Sequence, residues 1–259
     1  MDRIKKTHLC TILQKDKISE AAYKFVLQCL GLSAQAYPGQ FAHIAVEGKT
    51  LRRPISLADI DPENGTVTIV FEIRGEGTAW LAERNAGDAL DVLGPLGHGF
   101  TTYQEDKKVL LIGGGIGTPP LLPLAKIYGN RATALLGFRS KDFVILEDEF
   151  KSAGANVIVA TDDGSYGHKG FLTPFIEAEI ASNTIDRIFS CGPMPLLKIV
   201  SEIADENSIP CQISLEERMG CGVGACLVCA CQTNTGMKHV CKDGPVFDNS
   251  QFIIHNAQL

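Results

Sequence analysis

Five of the nine cysteines fall within 21 residues: Cys221, Cys226, Cys229, Cys231 and Cys241. Four of them follow the pattern Cys221-x4-Cys226-x2-Cys229-x11-Cys241, the plant-type spacing of thiolate ligands to a [2Fe–2S] cluster. Gly220, Gly222 and Gly224 interleave the first ligands. Residues without a Cβ let the backbone take unusual angles and turn its N–H groups toward sulfur, where they tune the potential. Zinc is the alternative, because four thiolates suit it too, although only Cys226-x2-Cys229 is a short-gap pair of the kind zinc sites use. Cys231 competes with Cys229 as a ligand; since the x4, x2 pattern already uses Cys229, Cys231 is assigned as a non-ligand. An odd cysteine count argues against a disulfide framework, and Cys10, Cys29 and Cys211 read as small buried hydrophobes.

Two other segments have the make-up of anion sites. Val109 to Ile112 runs into Gly113, Gly114, Gly115, Ile116, Gly117 and Thr118, a buried strand followed by a glycine turn and a helix, which brings backbone N–H groups up to a pyrophosphate. Thr118 stands where the third glycine of the dinucleotide fingerprint belongs, so a tight structural turn is the plain alternative. A ribose-binding acid is expected about 20 residues further on, and the run Gly137 to Lys141 carries none. Arg139 and Lys141 suit a 2′-phosphate instead, leaving NAD and NADP both open. Cys191, Gly192 and Pro193 end the last strand of this region at the edge where ligands bind. A thiol there either touches a nicotinamide ring or is a small buried residue.

Closer to the N-terminus, Arg53 in Arg52-Arg53-Pro54-Ile55-Ser56 suits bidentate capture of a phosphate, and a solvated basic pair is its plain alternative. Gly75-Glu76-Gly77-Thr78 opens a short helix and offers a second anion site. Two such devices in one small barrel suit a flavin diphosphate. Hydrolytic chemistry finds no support: Ser165 lacks G-x-S-x-G framing, no H-E-x-x-H pair occurs, and Asp162-Asp163 reads as a solvated loop. No catalytic acid or base is named.

The elements that must hold these residues fall into three stretches. Up to about residue 100, short alternating runs such as Phe41 to Val46 and Thr66 to Ile73 lie between turn signals, predicting an N-terminal antiparallel β-barrel. A short helix is expected from Thr78 to Asn85. From 101 to 210 strand and helix alternate, predicting a doubly wound α/β nucleotide-binding domain. Its expected strands are Lys107 to Ile112, Ala132 to Phe138, Asn156 to Ala160 and Asp186 to Ser190. Its expected helices are Pro119 to Tyr128, Thr173 to Ile180 with Thr173 or a neighbour capping, and Pro193 to Glu206. Residues 211–259, rich in Cys and Gly, form a third unit that needs a metal staple.

Composition narrows the field. The chain of 259 residues is 45% apolar and carries a formal charge of −6, which leaves no global positive field for nucleic acid. The uncharged stretch Val109 to Ala125 is interrupted by glycine and proline, too broken and short for a membrane span. The first residues show no apolar signal region, so a cytoplasmic location is expected.

Taken in order, Pro38-Gly39-Gln40-Phe41, Arg53-Pro54-Ile55-Ser56, Gly77-Thr78, Gly113 to Pro120, Cys191-Gly192-Pro193 and Glu216 to Cys229 resemble the ferredoxin–NADP reductase superfamily. Within it the chain is similar to the electron transfer subunits of NAD-dependent class B dihydroorotate dehydrogenases. That resemblance implies FAD lined by Arg53 to Ser56, by Val70, Phe71 and Glu72, and by Gly77 and Thr78. It further implies a nicotinamide site for NAD in the second domain and a [2Fe–2S] cluster in the third. An FMN-containing catalytic subunit is the implied partner, in a heterotetramer with two copies of each. Other flavin and iron–sulfur subunits, of a hydrogenase or a ferredoxin-linked transhydrogenase, would use the same cofactors. A zinc-stapled nucleotide-binding interaction module is the alternative without electron flow.

Overall fold

A computed structural model describes residues 6–251. Six strands close into an antiparallel barrel: β1 (Lys6–Lys17), β2 (Ala22–Gln28), β3 (Phe41–Ile44), β4 (Arg53–Asp61), β5 (Thr66–Glu72) and β6 (Ala89–Leu96). Their order is β1-β2-β5-β4-β3-β6, and β6 returns to β1. Helix α1 (Leu30–Ser33) follows β2, and α2 (Glu76–Ala82) follows β5. Alternation fills the inside: Phe25, Leu27, Ala42, Ile44, Val67 and Ile69 share one core. Cys10 and Cys29 lie in it, as expected of small hydrophobes, but the structure pairs them as a disulfide with Cα atoms 5.0 Å apart. The pairing of Thr11 with Gln28 sets these two opposite each other.

Seven strands build the second sheet, in the order β10-β9-β8-β7-β11-β12-β15. They are β7 (Val109–Gly114), β8 (Ala132–Phe138), β9 (Asn156–Thr161), β10 (His168–Lys169), β11 (Arg187–Cys191), β12 (Cys211–Ser214) and β15 (Val246–Asp248). All neighbours are parallel except β12 and β15. Val109 and Leu111 pack on one face of the sheet, Leu110 and Ile112 on the other. That two-sided burial explains why this strand reads as an unbroken apolar run; each such side chain contributes about 1.5–3 kcal/mol. The helices are α3 (Leu122–Tyr128), α4 (Glu147–Ser152), α5 (Thr173–Ser182) and α6 (Met194–Glu206). The segment after residue 210 thus gives β12 to this sheet, then a loop, the hairpin β13 (Ala230–Thr233) and β14 (Gly236–His239), the short α7 (Val240–Asp243), and β15.

Several boundaries differ from expectation for local reasons. Lys107 and Lys108 are not in the strand, because their N–H groups donate to the Asp186 carboxylate at 2.7 and 2.8 Å. Pro119 and Pro120 have no N–H to donate, and a 3₁₀ turn over Pro119–Leu121 precedes α3. Thr173 is the first residue of α5 behind Leu172 and makes no capping bond, while Pro174 sits in the first turn as expected. Helix α2 stops short of Asn85, whose N–H donates to the Asp88 carboxylate instead.

Candidate functional site

At the centre of the second sheet the chain order reverses: β8, β9 and β10 lie on one side of β7, and β11 and β12 on the other. Ligands of doubly wound sheets bind at the carboxyl ends of the strands at such a switch point. Both turns singled out in the sequence are there, one after β7 and one after β11, with Gly113 opposite Cys191. They press closely together: a Cβ on Gly117 would stand 2.5 Å from the Gly192 Cα, backbone on backbone, and one on Gly114 2.8 Å from the Pro193 side chain. Gly115 is left-handed (φ 53°) and faces open space, which leaves room for a phosphate to approach its backbone. Thr118 is buried, packs its hydroxyl against Gly113, and has no hydrogen-bond partner for Oγ1 among the described residues.

A cleft opens between these turns and the barrel. Pro54, Ile55 and Ser56 of β4 line it, as do Val70, Phe71 and Glu72 of β5 and Thr78 of α2. Cys191 and Ile116 close it from the sheet, and Ser214 to Glu217, Met219 and Pro245 from the C-terminal segment. Arg53 and Gly77 are not in the cleft wall but meet beside it: a Cβ on Gly77 would stand 2.2 Å from Arg53 Nε. That glycine lets the guanidinium lie over the start of α2, where its Nη1 donates to the Leu51 carbonyl at 2.6 Å. Thr78 Oγ1 accepts the Arg74 N–H at 2.8 Å and closes the turn before the helix. Burial pushes the Cys191 thiol far up, so it is a neutral wall of the cleft and not a thiolate. Desolvation by the cleft walls likewise raises the Glu216 carboxyl, with Arg74 opposing and Glu72 adding to the shift. Arg74 and Pro245 lie in no motif, and Ile116, Glu216 and Met219 lie in motifs read for the glycine turn and the cluster; none of the five was expected in this wall, and only the fold brings them to the cleft.

The cluster loop leads from β12 to β13. Two of its three glycines take the unusual angles the sequence suggests, Gly222 and Gly224 being left-handed at φ 71° and 81° while Gly220 is not, and N–H groups turn toward sulfur. Val223 and Ala225 donate to Cys221 Sγ at 3.4 and 3.2 Å, Gly224 to Cys241 Sγ at 3.1 Å, and Cys221 to Cys226 Sγ at 3.3 Å. Burial works against the Cys221 thiolate, but the Val223 and Ala225 N–H groups together with Cys226 pull its pKa down to about 6. The x11 gap is the hairpin β13–β14, in which Ala230 pairs with His239. Its return brings Cys241 to Cys229, whose Sγ accepts the Cys241 N–H at 3.4 Å.

Through their N–H···S bonds the four cysteines neighbour each other two by two, Cys221 with Cys226 and Cys229 with Cys241, and the Gly224 N–H joins the Cys241 sulfur to the first pair's loop. Among the described residues no three Cys, His, Asp or Glu side chains converge on one ion position. Two thiol pairs fit the two irons of a [2Fe–2S] cluster better than the single tetrahedral ion of a zinc staple. Cys231 instead donates its thiol to the Lys238 carbonyl across the hairpin at 3.6 Å. Burial raises its pKa to about 11.

Comparison with known proteins agrees with this geometry. Residues 216–253 match the family described as the iron–sulfur cluster binding domain of dihydroorotate dehydrogenase B. The dihydroorotate dehydrogenase B (NAD(+)) electron transfer subunit of Shouchella clausii is 43% identical, over 96% of this chain and 99% of its own. That of Geobacillus kaustophilus is 43% identical over 94% and 97%, and that of Fusobacterium nucleatum 42% over 92% and 95%. A chain solved in work on the NADH-dependent reduced ferredoxin-NADP oxidoreductase superposes with a TM-score of 0.85 at 34% identity, covering 94% of this chain and 89% of that one. The chain belongs to the family of electron transfer subunits of NAD-dependent dihydroorotate dehydrogenase B.

Proposed function

We propose that this chain relays electrons between NAD(H) and a catalytic partner subunit that oxidises dihydroorotate, a step of pyrimidine biosynthesis. The observation that carries the reading is the cleft on which barrel strands, both nucleotide-site turns and the base of the cluster loop close together. When bound, FAD supplies the exchange between the two electrons of a hydride and the single electrons of an iron–sulfur cluster. Arg53 and the start of α2 would hold the flavin diphosphate, with Pro54 to Ser56, Val70 to Glu72, Gly77 and Thr78 along its length. Gly113, Gly114, Gly115, Gly117 and Thr118 would take the pyrophosphate of NAD, with Cys191, Gly192 and Pro193 behind the nicotinamide. Cys221, Cys226, Cys229 and Cys241 would hold the [2Fe–2S] cluster.

Cys226, Leu227 and Val228 are exposed at the tip of the loop, a fitting point of entry for electrons from the partner's FMN in a heterotetramer of two copies each. Domain limits of 1–100, 101–210 and 211–259, with β12 and β15 of the last segment joining the second sheet, and a cytoplasmic location belong to the same reading.

The test is the visible spectrum of anaerobically purified protein during titration with NADH, with NADPH in parallel. Flavin and iron–sulfur bands that bleach with NADH support the relay; a colourless protein containing zinc overturns it. A second reading, a subunit of a ferredoxin-linked oxidoreductase, draws on the 0.85 TM-score. Copurification with a dihydroorotate-oxidising flavoprotein decides for the first, and with a ferredoxin-reducing one for the second.

A further inference from the structure

The carboxyl edge of the second sheet extends beyond the glycine turn, and an exposed aromatic residue stands on it. Gly114, the last residue of β7, lies beside Gly137 of β8, and Gly137 beside Ala160 of β9. No large side chain rises from this row, so the starts of two helices come down onto it. Pro193 and Leu196, at the start of α6, cover Gly114: a Cβ there would stand 2.8 Å from each of their side chains. Leu172, just before α5, covers Gly137 in the same way, 3.2 Å from its Cβ position. Phe171 precedes Leu172 and is 77% exposed. Both its neighbours are nonetheless anchored. The Gly170 N–H donates to the Thr161 carbonyl at 2.9 Å, and Leu172 is buried in the core that also holds Ile112 and Leu197.

We propose that Phe171 is a binding residue for the adenine base of NAD(H): its ring is the face on which the base stacks. The inference rests on the reading that the turns after β7 and β11 take the pyrophosphate and nicotinamide of that dinucleotide. The strand order β8-β7-β11 sets the direction. With the nicotinamide before Cys191 of β11 and the pyrophosphate at Gly115 after β7, the adenosine half continues along the edge over β8. Leu172 is seated on β8, one strand spacing of about 4.8 Å from β7, and Phe171 is the next residue. A base stacks on an aromatic face whatever its hydrogen-bonding edge, and a residue held in place before binding loses little freedom on binding. Water meets most of Phe171, and a stacked base would take that apolar area out of water. The run Gly137 to Lys141 carries no acid for the ribose, so the grip on the adenosine half falls to other contacts such as this one.

The test uses the full-length holoprotein with ferricyanide as terminal electron acceptor, in wild type, Phe171→Ala and Phe171→Tyr. In each, kcat/KM is measured for NADH and for reduced nicotinamide mononucleotide, which has the same reacting ring but no adenine. Calorimetric titration with ADP-ribose gives a Kd for the adenosine half without hydride transfer. We expect Phe171→Ala to lose about tenfold in kcat/KM with NADH, through KM, and about tenfold in Kd for ADP-ribose, the worth of one stacked base. Phe171→Tyr should keep both values, and the mononucleotide should react equally with all three proteins. An unchanged NADH value in Phe171→Ala would overturn the assignment. So would an equal loss with the mononucleotide, since the ring would then act on the fold or the nicotinamide. A loss in Phe171→Tyr as large as in Phe171→Ala would overturn it as well, because the stacking face is kept. A wild type whose flavin NADH does not reduce would instead remove the underlying reading.

Discussion

At the cleft, Gly117 lies so close to Gly192 that a single added carbon would stand 2.5 Å from the neighbouring Cα. At the cluster loop, Cys226 is exposed and the sulfurs are held by N–H groups 3.1–3.4 Å away. The first region is fixed by distant backbones in hard contact, the second by N–H donors, some local to the sulfur they serve and others brought to Cys229 and Cys241 by one short hairpin. A cleft of the first kind fails when volume is added, because buried backbone cannot relax cheaply. A loop of the second kind fails when a ligand is removed, because metal binding supplies much of its folding free energy.

The largest effect should follow from Cys226→Ser. Loss of one thiolate from a four-ligand set is expected to reduce iron and sulfide content nearly to zero while flavin remains bound, as measured by metal analysis beside the flavin spectrum. Retention of the cluster would show that the two-by-two arrangement of thiols is not the ligand set. Next comes Gly117→Ala, which should cost about 1–3 kcal/mol or more by forcing the two turns apart. That is a fall of several degrees in Tm, accompanied by a higher KM for NADH. Gly115→Ala provides the contrast: nothing lies within 4 Å of its Cβ, so it should lose only the about 1–2 kcal/mol of a left-handed non-glycine residue while still raising the KM.

The same contrast explains what could be read from the sequence. Local chemistry was legible: the thiol spacing, the glycines between ligands and the buried strand Val109 to Ile112 all appear in the structure as expected. Long-range contacts were not. Gly117 and Gly192 are 75 residues apart, and nothing in either turn states that they touch. Cys10 and Cys29 read as ordinary small hydrophobes because only the β1–β2 register makes them neighbours. Strands β12 and β15 are hidden for a related reason: they flank a cysteine-rich loop but add to a sheet begun far earlier in the chain, at Val109. The short-range exceptions are ends of elements, where a single carboxylate such as Asp186 or Asp88 captures N–H groups that the apolar pattern alone assigns to a strand or helix.

Arg53 and Gly77 bring the two regimes together, since a glycine there makes room for the end of a flexible side chain and not for backbone. Gly77→Ala should therefore displace the guanidinium at little cost in Tm, while Arg53→Ala removes it outright. Both should lower flavin retention, Arg53→Ala by about 1.5–3 kcal/mol, the worth of a hydrogen bond to a charged group, or about tenfold or more in Kd. Flavin content after gel filtration and fluorescence titration with FAD measure this. If Gly77→Ala lowers Tm as far as Gly117→Ala does, the distinction between a yielding and an unyielding neighbour fails.

The smallest effect is expected at Cys231, and it tests the local regime most sharply. Cys231 lies two residues beyond the proposed ligand Cys229, yet its thiol donates to the Lys238 carbonyl within the hairpin. Cys231→Ser keeps a donor in the same place and should leave iron content, spectrum and midpoint unchanged. The informative experiment is the double variant Cys226→Ser with Cys231→Ser beside Cys226→Ser alone. If Cys231 stays bonded across β13–β14, the two lose the cluster equally. If residual iron in the single variant vanishes in the double, the hairpin can release Cys231 as a substitute ligand, and the loop is less rigidly specified than its N–H···S bonds imply.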